Sequence, residues 1–197
     1  NCYMPDDYDT NYRGPMTLRL ALGESRNIPA VKLLYLTSIA DSLKTAKDFG
    51  IRTLTNPDQY GLTLVLGGGE VSLLDMTSAY GVFANSGLKV PVQKILKIED
   101  KDGNVLEEAP KDDMISGDQG MDKNAVLTLN DVLADDDARV GTFGKHSLLY
   151  IPGRDVAVKT GTTNDQRDNW AIGWSQDVMV GVWVGNNNNS AMKTVAS

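Results

Sequence analysis

The 197-residue chain carries 26 acidic against 19 basic side chains, a net charge of -7 and a pI of about 4.7, and 41% of its residues are apolar. That length and composition support one domain with a real core and exclude a disordered chain. The acidic balance argues against nucleic acid or an anionic membrane surface as the main partner, because both demand basic patches. A single cysteine, Cys2, allows no intrachain disulfide, and one cysteine with one histidine, His146, cannot build a Cys/His zinc site. No apolar stretch is long enough to span a bilayer.

Asn1 to Pro15 is rich in Asp, Tyr, Asn and Pro and reads as loop. Apolar spacing predicts a helix over Thr17 to Leu22, broken by Gly23, and a second, mostly buried helix through Val31, Leu33, Leu34 and Leu36. Ser25 or Asn27 would cap that second helix, with Pro29 in its first turn. Ile39 to Phe49 is an amphipathic helix closed by Gly50. Leu62 to Leu66 is a short apolar run of uncertain state before three glycines. Ser72-Leu73-Leu74-Asp75 reads as a capping box, with Asp in place of Glu, opening a helix that ends at Asn85-Ser86-Gly87.

Val90 to Ile98 is strand-like, and Asp102-Gly103 marks a hairpin turn before Val105-Leu106. Ala109 to Gly120 is polar loop, Val126 to Leu133 is helical, and Asp135-Asp136-Asp137 reads as solvated surface. The last third reads as β: one strand over Val156 to Thr162, then a hairpin of Asn169 to Trp174 and Val178 to Gly185 through Ser175-Gln176-Asp177. With no internal repeat and no linker, the expectation is one α+β domain, helices first and antiparallel strands after.

Chemistry concentrates at the end of the strand over Val156 to Thr162. Lys159 brings fixed positive charge, Thr160 and Thr162 bring hydroxyl donors for a carboxylate, and Gly161 lets a ligand backbone approach the strand. Ser25-Arg26-Asn27 is a second short polar group, 134 positions before Lys159. Each group alone has a bland reading, a helix cap for S-x-N and a solvated strand end for K-T-G, but their order and separation make the pair more specific.

Other patterns fail on chemistry. Gly153 to Thr160 lacks a Walker A loop by one residue: Val158 stands where a glycine must free the backbone amides. A Ser-His-Asp hydrolase would have only His146 as base and no G-x-S-x-G elbow, and His146 reads as exposed and structural. S-x-x-K occurs at Ser86-Gly87-Leu88-Lys89 and Ser190-Ala191-Met192-Lys193. Neither suits a serine and lysine one turn apart at a buried helix start, and both follow S-x-N in the chain.

Three stretches together resemble the transpeptidase domain of class A (bifunctional) penicillin-binding proteins. They are Gly14 to Leu22 with Ser25 to Val31; Leu66 to Ser72 with Ala79 to Asn85; and Lys159-Thr160-Gly161-Thr162-Thr163-Asn164-Asp165 with Asp168, Trp170, Gly173 and Gly181 to Gly185. The extended K-T-G-T-T-N-D form favours a transpeptidase over a serine β-lactamase, which would also need a deacylating carboxylate for which the sequence offers no candidate.

The resemblance implies a partial α+β fold of the penicillin-binding-protein and serine β-lactamase type. The family's S-x-x-K nucleophile motif is expected before Asn1 and most of its final helix after Ser197, leaving 1–197 as a single partial domain that cannot itself be acylated. It implies serine acyl transfer at D-Ala-D-Ala of peptidoglycan stem peptides, with β-lactams as inhibitors and no metal or organic cofactor.

The implied roles are catalytic for Ser25, Asn27 and Lys159, and substrate binding for Thr160, Gly161, Thr162 and Thr163. The Thr162 N–H would form half of an oxyanion hole. The parent protein would be anchored on the extracytoplasmic face of a bacterial cytoplasmic membrane. The faces of Trp170, Trp174 and Trp183 would be left open for a second copy or a complementing fragment. A rival reading is a non-catalytic β-lactam sensor or pseudoenzyme of the same fold.

Overall fold

A single helix organises the packing. In the computed structural model, which describes residues 3–109 and 118–193, helix α4 (Leu73–Ala84) packs both on the main sheet and on neighbouring helical elements. Its sequence LLDMTSAYGVFA is apolar around most of its circumference, as a helix buried on several sides requires. On one side Ala79 and Val82 pack with Phe49 and Ile51; on the other, Met76, Tyr80 and Phe83 pack on Leu133, Ala157, Ile172 and Trp174. Phe83 belongs to both clusters. Its ring centroid lies 5.4 Å from Phe49, 5.5 Å from Tyr80 and 6.1 Å from Trp174, so an aromatic ladder runs through the interior.

Helices α1 (Leu18–Gly23), α2 (Asn27–Thr37) and α3 (Ile39–Asp48) precede α4, and α5 (Lys123–Ala134) and α6 (Asp136–Phe143) follow it. Strands β5 (Ala157–Thr162), β6 (Asp168–Trp174) and β7 (Met179–Gly185) form an antiparallel sheet in the order β5-β6-β7. Two small antiparallel pairs stand apart from it: β1 (Leu88–Lys89) with β4 (Asp118–Gln119), and β2 (Lys97–Glu99) with β3 (Val105–Glu108). Asn130 of α5 locks the layers together: its amide donates to Phe83 O at 2.9 Å and accepts from Trp174 Nε1 at 3.3 Å.

The expected hairpin and helix order hold, with three corrections. The segment Val90 to Ile98 is not one strand; Pro91 interrupts it, and pairing resumes only at Lys97. The acidic run is not idle surface: Asp135 caps α6, accepting from Asp137 N and Ala138 N at 3.0 and 3.2 Å, so a helix starts where only charge was visible. The capping box is half made, since Ser72 Oγ accepts from Asp75 N while the Asp75 carboxylate pairs with Arg52 at 2.9 Å. Residues 110–117 of the expected polar loop lie outside the described residues.

The faces expected to stand open are also different ones. Trp174 is core, 4% exposed, and Trp170 and Trp183 are half-buried. The apolar surface is instead the other side of β7, where Val180, Val182 and Val184 alternate with Met179, Gly181 and Trp183 and remain 46–53% exposed. Gly181 shows which side is covered: a Cβ there would strike Thr77 of α4.

Replacing Trp174 removes the end of the aromatic ladder and its bond to Asn130. Trp174→Ala is expected to cost about 3–5 kcal/mol, read as a lowered midpoint in urea unfolding.

Candidate active site

The turn that carries Ser25 is a Schellman motif. Arg26 N donates to Ala21 O at 2.9 Å and Ser25 N donates to Leu22 O at 3.1 Å, closing α1. Ser25 therefore sits in the left-handed position, with φ of 55°, where glycine is the usual residue. Gly23, expected to break the helix, is its last residue; a Cβ there would lie 2.6 Å from Ala138 O, so its role is the close approach of α6.

Neither Ser25 nor Asn27 caps α2. Its N-cap is Arg26, which makes no side-chain cap bond. The cap comes from 20 residues upstream: Asp7 Oδ1 accepts from Asn27 N at 2.8 Å and from Ile28 N at 3.2 Å. The Asn27 side chain is tied to the same segment, with Nδ2 donating to Asp6 O at 2.9 Å.

The strained turn meets strand β5. Lys159 Nζ donates to Ser25 Oγ at 2.6 Å and to Thr160 O at 2.6 Å. Both acceptors are neutral, and burial draws the Lys159 ammonium down to about 8. Ser25, Lys159 and Thr160 line one small cavity, of about 10 Å³, with Val158, Leu133 and Arg139. The Thr160 hydroxyl has no hydrogen bond among the described residues, whereas Thr162 Oγ1 accepts from Asn169 Nδ2 at 3.4 Å. A Cβ on Gly161 would find only Trp170 Cβ, at 3.8 Å, so nothing in the protein itself demands glycine there. Among the described residues β5 pairs only with β6, and its other edge is free.

Thr163 differs from the other predicted site residues because its hydroxyl is fully engaged. It donates to Asp168 Oδ2 and accepts from Asp168 N, both at 2.9 Å, while Asp168 Oδ1 accepts from Trp183 Nε1 at 2.9 Å. This carboxylate ties the end of β5 to the start of β6 and the middle of β7. The glycine run packs against the same corner: a Cβ on Gly67 would lie 2.7 Å from Thr163 Cγ2.

The structure thus joins Ser25, Lys159 and Thr160 directly, holds Gly161 and Thr162 on the same strand, and leaves Asn27 anchored to the N-terminal segment. His146 is exposed, with its ring stacked on Tyr150 at 4.5 Å. The other two S-x-x-K matches lie in turn, β1 and coil, so neither presents a serine and lysine on one helical turn.

A helical layer that lays a serine turn against a lysine-bearing sheet strand defines the penicillin-binding-protein type of α+β fold. Residues 3–196 match the penicillin binding protein transpeptidase domain family, and the chain belongs to that family. Penicillin-binding protein 1A of Neisseria meningitidis serogroup A is 35% identical over 188 residues, covering 93% of this chain and 22% of that protein. Penicillin-binding protein 1A of Aquifex aeolicus is 38% identical over 194 residues, covering 93% and 24%.

The chain therefore spans about a quarter of the length of these relatives. Among solved structures, penicillin-binding protein 1A of Haemophilus influenzae superposes with a TM-score of 0.77 at 24% identity, covering 95% of this chain and 32% of that one. PonA1 of Mycobacterium tuberculosis in complex with penicillin V gives 0.73 at 25% identity, covering 93% and 51%.

Two measurements test the site geometry. Ser25→Gly and Ser25→Ala both remove the hydroxyl, but only glycine relieves the left-handed backbone, so the Gly variant is expected to be about 1 kcal/mol more stable than the Ala variant in urea unfolding. For Lys159 the folded value lies below the unfolded one, so between about pH 8 and the ordinary lysine value of about 10.4 the folded chain binds fewer protons. Stability is expected to rise with pH across that window, relative to Lys159→Met. A flat difference would mean the ammonium is solvated.

Proposed function

We propose that this chain is the S-x-N and K-T-G part of a peptidoglycan D,D-transpeptidase, an acyltransferase that cross-links stem peptides and is acylated by β-lactams. The observation that carries this is the 2.6 Å contact between Lys159 Nζ and Ser25 Oγ, beside an unengaged Thr160 hydroxyl on a free strand edge. The nucleophilic serine is supplied by an S-x-x-K motif outside these residues.

Its Oγ attacks the carbonyl carbon of the penultimate D-alanine. The serine proton passes by way of Ser25 to the nitrogen of the terminal D-alanine, the C–N bond breaks, and free D-alanine leaves. An acceptor amine then attacks the ester carbonyl, loses a proton to the returning serine Oγ, and the new amide is released.

Each candidate site residue has a part in this scheme. The stem peptide lies along the free edge of β5, where Gly161 leaves room for its backbone. Lys159 keeps positive potential at the substrate carboxylate, and Thr160 and Thr162 donate to that carboxylate. The Thr162 N–H polarises the scissile carbonyl together with the N–H of the nucleophilic serine. Asn27, its amide nitrogen held by Asp6, offers its oxygen to the nucleophile-motif lysine and to the substrate amide. Thr163, committed to Asp168, braces the strand end and does not touch substrate.

The parent protein acts at the bacterial cell envelope, on the extracytoplasmic face of the cytoplasmic membrane. The exposed valines of β7 form the face on which the rest of that protein, or a second copy, packs.

Intact mass after incubation with a penicillin tests this, on the 197-residue chain and on the longer parent protein. A one-to-one adduct is expected on the parent alone, with Thr160→Val lowering its rate of formation by about 10–100-fold. Adduct on the short chain would place the nucleophile inside it; adduct on neither would remove the acyl-transfer reading.

A further inference from the structure

We infer that Arg26 is a positioning residue for the Ser25 hydroxyl, acting through a guanidinium–carboxylate clamp with Asp9, Glu24 and Arg13; this deepens, and rests on, the transpeptidase reading above. The middle residue of S-x-N reads as filler in the sequence. In the structure it is the least exposed of the three, at 6%, although it carries a charge. A charged side chain withdrawn from water must be compensated, and two carboxylates do so here through Nε and Nη1, while Nη2 makes an ion-pair contact but no hydrogen bond among the described residues. Arg26 Nη1 donates to both oxygens of Asp9 at 3.0 Å, its Nε donates to Glu24 Oε2 at 2.9 Å, and its Nη2 lies 2.8 Å from the same oxygen. Arg13 closes the ring, with Nη2 3.0 Å from Asp9 and Nη1 3.2 Å from Glu24.

The clamp acts on the one residue of the site that is strained. Ser25 is flanked by both of the turn's clamp members, Glu24 and Arg26, and it holds a left-handed conformation that a non-glycine residue adopts only at a cost. Such a conformation persists only where the surroundings over-determine it. Two elements do so. The N-terminal strap supplies Asp9 to Arg26, Asp7 to the start of α2 and Asp6 O to Asn27. Helix α6 supplies Thr142, whose hydroxyl donates to Glu24 O at 3.0 Å. Gly141 of α6 leaves room for the Glu24 carboxylate, which a Cβ there would strike.

The Arg26 guanidinium holds the Asp9 carboxyl down to about 2, so the Asp9 arm of the clamp is intact above the unfolded carboxylate value of about 3.9 and is lost as pH falls through about 2.

The test uses the longer parent protein. The variants are Arg26→Ala, Arg26→Lys and Asp9→Asn; the last keeps the inference testable should the first, which leaves two carboxylates facing each other, fail to fold. Two quantities are read: the rate and final stoichiometry of penicillin adduct by mass, and the Lys159 side-chain signal in protein isotopically labelled at lysine Cε. The expected result is a rate about 10–100-fold lower with adduct still reaching one per folded molecule. Arg26→Lys would recover only part of the rate, because an ammonium lacks the two-sided fork, and added guanidinium would partly rescue Arg26→Ala.

The Lys159 signal of Arg26→Ala and Asp9→Asn should move toward that of Ser25→Ala. Wild-type rates in the folded variants, or a Lys159 signal identical to wild type, would overturn the inference. If the unmodified parent forms no adduct, it is the transpeptidase reading that fails, and the Lys159 signal alone still decides whether Arg26 positions Ser25.

Discussion

The contact between Lys159 and Ser25 spans the seam between the helical layer and the sheet, and most of the fold serves to bring its two halves together. Neither half could find the other through local structure, since one closes a short helix and the other lies on a strand 134 residues later. What brings them together is α5, which packs on both α1 and β5, with Leu133 in one cluster with Leu22 and Ala157, while the aromatic residues of α4 pack on the sheet at Trp174. Trp174 stands opposite Ala157 in the ladder, and Lys159 is the next residue but one along β5. The register that buries Trp174 therefore sets where the ammonium emerges.

Burial gives that ammonium its character. Its acceptors are a hydroxyl and a peptide carbonyl, which satisfy hydrogen bonds without cancelling charge. The charged groups nearby are occupied with one another. Asp135, which lines the same cavity, pairs with Arg19 at 2.9 Å, and Arg139 lies 3.5 Å from Asp136. Among the described residues Lys159 has no carboxylate partner, in a protein whose overall charge is -7. Net charge argues against a polyanion partner but carries no information about a single carboxylate, which responds to local geometry.

Much of this was legible in the sequence where physical chemistry is local. Alternation exposed the β6–β7 hairpin, Ser72 marked the start of α4, and the pairing of S-x-N with K-T-G-T pointed to the family. The illegible parts depend on distant partners or on backbone geometry. Asp7 as a cap for α2 could not be read because capping rules look within a few residues, and this cap arrives from 20 away. Helix α6 was hidden because three consecutive aspartates carry no apolar period, although Asp135 is a good N-cap. Ser25 as the left-handed residue was concealed by Gly23, which looked like the stop signal and instead serves close packing.

That last misreading shows how the site is built. A helix end normally takes glycine in its left-handed position because glycine loses nothing there, yet at this end the position holds the side chain that accepts a hydrogen bond from Lys159. The unfavourable backbone must be offset elsewhere, and the surrounding charges are placed where they would do so. Glu24 and Arg26 flank Ser25, Asp9 and Arg13 face them from the strap, and α6 holds Glu24 from behind. A looser turn with glycine would be more stable locally, but it would carry no hydroxyl to meet the ammonium. Rigid placement of one hydroxyl and exclusion of glycine are thus the same constraint, and it accounts for an acidic N-terminal segment that composition alone would assign to solvent.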